Sequence, residues 1–259
     1  MGFSFNGTTS QSMGLATKMT SENRMPDLRN NTVTMPGHEG VFDFGETISE
    51  RQIALTCFIP PGKTDSDFLK KKDDIVAWLN PDVGLCPLIL DKEPGRIYSA
   101  RLSDGFSFDK VVRNSCTFDL TFICPDPYAY AANDESFVFA EKGDFTVTRT
   151  LGNAASLPVY SLKGVIPSGS DSYVSLITGG SELRVTGKLA EDETLIIDAS
   201  LMTAKVVDSE GNTLRNGLPL ISMLNFPKLS VGDNSLVIET AGDNTVFTEL
   251  KIQAKSRWR

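Results

Sequence analysis

Histidine is nearly absent from this chain of 259 residues, with His38 the only one. A Ser-His-Asp or Cys-His relay would have to use that imidazole, which lies between Gly37 and Glu39 in a turn-like stretch, and no GxSxG elbow is present to hold a nucleophile. There is no P-loop and no GxGxxG opening a helix, which removes the common phosphate cradles. The four cysteines, Cys57, Cys86, Cys116 and Cys124, form no CxxC pair and have no histidines beside them, so zinc spacing is missing. Cys116 and Cys124 lie roughly 26 Å apart at strand rise, too far to bridge each other, and reduced core thiols are the expectation. No apolar run approaches the ~20 residues of a membrane helix. Met1 to Gly7 lacks the basic start and apolar run of a signal peptide, so synthesis and retention in a cytoplasm is expected.

Basic surplus is missing as well. The net charge is -8, and the two halves divided at Tyr130 carry 13 Lys and Arg against 17 Asp and Glu, then 12 against 16. Counterion release from nucleic acid needs clustered cations. Lys70-Lys71-Lys72 is the nearest approach, and Asp73-Asp74 follows at once, so this run is expected to be a solvated helix face.

What the chain does have is alternation. From Cys116 to Cys124 every even position is apolar while Thr117, Asp119 and Thr121 fall between, the period of a half-buried strand. Pro125 and Pro127 end it by removing ladder donors, so the chain is expected to leave its first core there. Tyr128 and Tyr130 suit either a plug at a domain seam or rings stacked on a ligand, and an aromatic body with a polar tip favours the seam. The length fits two domains, taken as 1–130 and 131–259.

The first half reads as short strands with one helix. Residues 3 to 20 suit short strands around a turn, and Arg51 to Ile59 alternates with Ile53, Leu55, Cys57 and Ile59 on one face. Residues 21 to 40 are poor in apolar side chains and read as an extended arm or functional loop. Thr64 is a good N-cap with Asp67 three residues on. Phe68, Leu69, Ile75, Val76 and Leu79 would make one stripe against the sheet, and Pro81 stops the helix. Trp78 lies off that stripe, as an edge packing residue or a partner contact. Leu88 to Leu90, Ile97 to Leu102 and Phe106 to Val112 read as further strands. The second half repeats strands about every ten residues from Phe137 to Ala254, the rhythm of an antiparallel sandwich or jelly roll. Trp258 is then either its last core residue or an exposed sugar-stacking ring.

Carboxylates offer little chemistry. Glu191-Asp192-Glu193 reads as a solvated hairpin rather than a glycosidase pair, whose members meet from separate elements. Asp233-Asn234 and Asp243-Asn244 lack EF-hand spacing. No residue is assigned a catalytic, cofactor-binding or metal-binding role, no cofactor is expected, and structure or binding is favoured over catalysis.

Several stretches in order resemble the distal tail proteins of siphophages, the long non-contractile-tailed phages. They are Phe3 to Gly7 with Met13-Gly14-Leu15, then Met35-Pro36-Gly37-His38-Glu39-Gly40, then Ile75 to Leu79 with Leu88 to Asp91 and Tyr98 to Ala100. Thr121 to Tyr130, Leu195 to Asp198, Phe226 to Asn234 and Arg257-Trp258 complete the series. The chain departs from the family pattern at Thr150-Leu151-Gly152-Asn153 and at His38, where a basic residue is usual.

The resemblance implies a mainly β fold: an N-terminal β-sandwich-like domain with one α-helix, and a C-terminal galectin-like or carbohydrate-module-like β-sandwich. It implies a non-enzymatic hub at the distal end of a virion tail, assembled in the host bacterial cytoplasm. The first domain would form a homohexameric ring around a lumen that passes DNA without binding it, and the arm from Ser21 to Gly40 would order against a neighbour. The implied partners are the tail tube protein, a tail-tip or fibre-like hub protein and receptor-binding proteins, with no membrane. The alternative is a carbohydrate-binding protein whose C-terminal domain recognises host cell-wall glycan. A weaker third reading is a glycan hydrolase using an acidic pair.

Overall fold

Alternation of apolar and polar side chains generates most of the strands in the computed structural model, which describes residues 2–20, 25–62, 64–169 and 171–259. The chain divides into two units, one running to Ala132 and one spanning Asn133–Trp258. Strands dominate both, and α1 is the one α-helix among the described residues.

The first unit contains β1 (Phe3–Phe5), β2 (Thr8–Thr9), β3 (Ala16–Met19), β4 (Leu28–Val33), β5 (Phe42–Ile48) and β6 (Arg51–Ile59). Helix α1 (Asp65–Trp78) follows, then β7 (Cys86–Leu90), β8 (Arg96–Leu102), β9 (Asp109–Val112), β10 (Ser115–Cys124) and β11 (Ala129–Ala131). Hydrogen bonds order the strands β2-β1-β7-β8-β10-β6-β3, with β11 also on β8 and β9 on β10. Along β8, residues Tyr98 to Ala100 pair with β7 while Arg101 and Leu102 pair with β10, so the sheet changes partner there and turns a corner. The result is sandwich-like.

The longest ladder pairs β10 with β6 from Cys116↔Ile59 to Cys124↔Arg51, which sets Phe118 against Cys57, Leu120 against Leu55 and Phe122 against Ile53. All of these are buried. The register is specified because a one-residue slip would turn this whole set to solvent. The four cysteines are free and buried.

Thr64 caps α1 as expected, its Oγ1 accepting from the Asp67 N–H at 3.1 Å. The helix buries a narrower stripe than its spacing suggests. Ile75 and Leu79 are buried, whereas Leu69 and Val76 are exposed. Trp78 is a packing residue: its indole stacks on Phe3 at 5.5 Å between centroids, and Nε1 donates to the Phe5 carbonyl at 3.0 Å. The triple-lysine run is not uniformly solvated, because Lys71 Nζ donates to the Gly14 carbonyl and Lys72 Nζ lies 4.6 Å from the Phe68 ring.

The chain does not leave the first unit at Pro125. Asp126 organises the two-proline turn by accepting from the Tyr128 N–H and from the Tyr130 hydroxyl at 2.7 Å, while Arg51 Nε donates to the Pro127 carbonyl. The turn sends the chain back as β11 along β8. Similarly, β9 begins only at Asp109, because Phe106 and Phe108 leave the ladder to pack on Phe118.

The second unit is a two-sheet antiparallel sandwich, the architecture expected from its strand rhythm. Its strands are β12 (Ser136–Phe139), β13 (Gly143–Arg149), β14 (Val159–Val165), β15 (Tyr173–Thr178), β16 (Ser181–Val185) and β17 (Thr194–Asp198). They continue with β18 (Thr203–Val207), β19 (Thr213–Asn216), β20 (Ile221–Leu224), β21 (Gly232–Ala241), β22 (Val246–Gln253) and β23 (Arg257–Trp258). One sheet runs β12-β22-β14-β17-β18-β19 and the other β13-β21-β15-β16-β20. Tyr160, Leu162, Leu195, Ile197, Leu250 and Ile252 from the first meet Val174, Leu176, Leu183, Val185, Leu236 and Ile238 from the second in one core. β14 steps by a bulge at Gly164, where a Cβ would lie 2.3 Å from the Val246 carbonyl. Trp258 is half-buried and is not a member of this core.

Candidate assembly surface of the first unit

The stretch read as an arm over 21–40 falls short of the element it belongs to, a hairpin that runs on to Ile48 and is called the arm below. Among the described residues, β4 and β5 pair only with each other, from Leu28↔Ile48 to Val33↔Phe42, with a bulge between Asn30 and Thr32. Its base is closed by the Ser49 N–H donating to the Asp27 carbonyl, and Gly45 takes φ +87° while its N–H donates to Asp43 Oδ1. Residues 21–24, the first part of the stretch read as an arm, lie outside the described residues. Reasoning from the sequence missed both strands, although Phe42, Phe44, Glu46 and Ile48 alternate with polar or small residues and Pro36-Gly37 supplies a turn.

Every residue of the two strands is exposed except Ile48, which is half-buried. Val33, Met35, Val41, Phe42 and Phe44 all lie open, with Phe44 72% exposed. A lone two-stranded hairpin is marginal in water and needs a further strand or a packing surface. Two bare edges and a run of exposed apolar side chains are the usual signature of a face that another chain covers.

A second feature lies between α1 and the β9–β10 hairpin, where a cleft of about 480 Å³ opens. Phe68, Leu69 and the buried Cys116 give it an apolar floor, and Lys72, Lys110 and Arg113 stand around it. Arg113 pairs with Asp65 at 3.3 Å, both exposed, and this pairing holds the Asp65 carboxyl below its ordinary value. Lys72 spreads over the Phe68 and Phe108 rings at 4.6 and 5.1 Å. Burial pushes the Cys116 thiol up, so this is not an activated nucleophile. The cleft suits a segment carrying apolar and acidic side chains. The arm is such a segment, since Glu39, Asp43 and Glu46 accompany its aromatics.

The residues singled out for chemistry lie apart. His38 sits at the arm tip against Phe42, 4.8 Å between centroids. Glu191 and Asp192 are exposed, while Glu193 is clamped by both terminal guanidinium nitrogens of Arg215 and accepts from the Ala190 N–H. Arg215 holds the Glu193 carboxyl below its ordinary value, the opposite of what a general acid needs. Asn234 ties the Ser230 turn to β13 by donating to the Val147 carbonyl and accepting from the Ser230 N–H, and Asp233 accepts from the Thr148 hydroxyl. No group of three or more potential metal ligands occurs among the described residues, and no described helix is long and apolar enough to cross a membrane.

Residues 10–124 match the family of the phage tail protein RIFT-related domain. The whole chain superposes on the Dit protein of phage SPP1, described as a paradigm of the hub adsorption apparatus in phages infecting Gram-positive bacteria. The TM-score is 0.76 at 14% identity, over 100% of this chain and 99% of that one. Baseplate structures of phage P2, in the activated conformation with calcium or strontium, align at TM-scores of 0.46 and 0.44 with 11% and 12% identity, each over 93% of this chain and 91% of theirs. None of the curated proteins matches the sequence. A phage tail domain family thus covers most of the first unit, and the fold of the SPP1 Dit protein runs along the full length of the chain.

Proposed function

We propose that the protein is the structural hub of a siphophage tail tip, at the distal end of the virion tail, and not an enzyme. In this reading the first domain closes into a homohexameric ring that continues the tail tube. The second domain connects the ring to the tail-tip hub protein and the receptor-binding proteins of the adsorption apparatus. Assembly takes place in the bacterial cytoplasm.

The observation that carries the reading is the arm. A hairpin whose apolar residues, apart from the half-buried Ile48, are exposed gains stability once a neighbouring copy covers it, and a ring supplies such a neighbour at every seam. The cationic cleft offers chemistry complementary to the arm's acidic and aromatic side chains. The net charge of -8 fits a lumen that passes DNA without holding it.

Light scattering across a concentration series tests the proposal. The expected result is a mass of six chains, or a smaller species that moves toward six as concentration rises. A strict monomer at every concentration, both alone and mixed with tail tube protein, would sink it.

A further inference from the structure

The end of the second unit where its first and last segments meet holds a buried guanidinium. Arg149, the last residue of β13, is fully buried. Its Nη2 donates to the Ala154 carbonyl, while Nε and Nη1 are shielded from solvent and meet no acceptor among the described residues. Ser156 is fully buried too, and its hydroxyl likewise has no partner among the described residues. The two groups belong to one place. Ala154 and Ser156 bridge to Arg257 and Leu229 from a stretch whose intervening Ala155 is exposed, so both face inward, and Arg149 reaches the first of them.

The charged neighbours of Arg149 are committed elsewhere. Glu135 accepts from the Thr150 N–H and hydroxyl, the Leu151 N–H and the Ser256 hydroxyl, and Asp134 accepts from the Lys255 and Ser256 N–H groups. Arg257 donates its Nε to the Ala155 carbonyl at 2.7 Å. Burial pulls the Arg149 guanidinium below its ordinary value, Glu135 and Asp134 oppose this and Arg257 adds to it, yet an arginine keeps its proton at neutral pH. A buried charge without a bonded counter-charge is costly. Asn234, buried on the neighbouring β21, shows the contrast, since its amide oxygen accepts from the Ser230 N–H and its nitrogen donates to the carbonyls of Val147, Ser230 and Gly232.

The partner that fits accepts without donating. A guanidinium has donors only, and the Ser156 hydroxyl can donate beside it. A water molecule would accept from them but would have two protons of its own to place. The carbonyls of Ala154, Ala155, Ser156 and Leu229 already accept, from Arg149, Arg257, Leu229 and Ser156 respectively. Sulfate or a carboxylate would bring several oxygens, and two donor groups in a place closed to solvent cannot serve them all. A halide needs no further acceptor and carries the charge that the guanidinium lacks.

We propose that Arg149 and Ser156 form an internal chloride site that closes this end of the second unit. The unfolded chain has no such site, so chloride stabilises the folded unit by mass action. Glu135 and Asp134 tie the first segment of the unit to its last at the same end, so the anion adds its charge where the unit's two ends are joined. The site belongs to the single chain and does not depend on ring formation.

The test is thermal melting of the full-length chain as sodium chloride replaces sodium gluconate at constant ionic strength, with the linewidth of the chloride NMR signal as a direct reading of binding. A saturable rise of about 4 °C is expected once chloride stands about tenfold above its dissociation constant, together with broadening of the signal. Bromide should substitute and sulfate should not. Ser156→Ala should weaken the apparent affinity roughly tenfold. Arg149→Met should abolish both effects, while Arg215→Met, at a surface ion pair of the same unit, leaves them unchanged. Should Arg149→Met not fold, the wild type and Ser156→Ala decide. No chloride-specific shift and no broadening in the wild type, the result that a bridging water would give, or responses unaltered by Ser156→Ala and Arg149→Met, would overturn the proposal.

Discussion

Replacing Phe44 with serine separates an assembly role from a folding role. Its ring is 72% exposed within the chain, so the isolated chain has almost nothing to lose. Covering the open part of a side chain of about 200 Å² removes roughly 140 Å² from water, or roughly 3.5 kcal/mol at about 25 cal/mol per Å². A partly packed seam realises about half of this, about 1.7 kcal/mol, which is a factor of roughly 20 in the association constant of each seam. A closed ring needs every seam, so the concentration at which rings form should rise by at least that factor. Sedimentation or light scattering over a dilution series reads the shift directly, and the melting temperature at a concentration where the wild type is dissociated should stay within about 1 °C. Rings forming at the wild-type concentration would refute the reasoning. A clear loss of melting temperature in the dissociated chain would refute it in another way, by showing that Phe44 packs on its own subunit.

Three further outcomes follow from the packing. Trp78→Phe keeps most of the stack on Phe3 but leaves the Phe5 carbonyl without its donor, and should cost about 1–2 kcal/mol in urea unfolding; an unchanged midpoint would mean that the hydrogen bond is unimportant. Burial pushes the Cys57 and Cys124 thiols up to about 12, so neither should react with a thiol reagent at about pH 8 until the chain unfolds, and rapid native labelling of either would contradict a closed core. Because Arg215 depresses the Glu193 carboxyl from its ordinary value of 4.5, its contribution is fully present above that value and is lost as pH falls through the lower folded value. Glu193→Gln should therefore flatten the acid limb of melting temperature against pH, and an identical limb would mean that the pair does not stabilise the fold.

The parts of the fold legible in the sequence are those in which one chain buries its own apolar face. Cys116 to Cys124 and Arg51 to Ile59 alternate because their even and odd faces meet core and solvent respectively, and their pairing follows from that alternation. The Thr64 cap was legible for a local reason, since its hydroxyl needs only the N–H three residues on. Other features depended on distant contacts. The Arg51–Pro127 bond that helps turn the chain back into β11 joins residues 76 apart. Likewise, Ser175 and Arg184 on β15 and β16 become neighbours only when the strands pair.

The arm and the helix fail the same rule from opposite sides, and the failures have a common physical reading. Spacing alone makes Leu69 and Val76 core residues, yet both are exposed on α1, as are Val111 and Val112 on the β9 edge strand. β4 and β5 look unlike half-buried strands because neither of their faces is covered by their own chain. A periodicity argument assumes that the chain supplies both solvent and core. When a neighbour supplies the second surface, apolar residues stand exposed on an element that otherwise obeys its period, and a strand pair forms with no inside. Both anomalies occur in the first unit, the one whose sequence matches the tail domain family, and they are the places where a second copy would complete the packing that one copy leaves open.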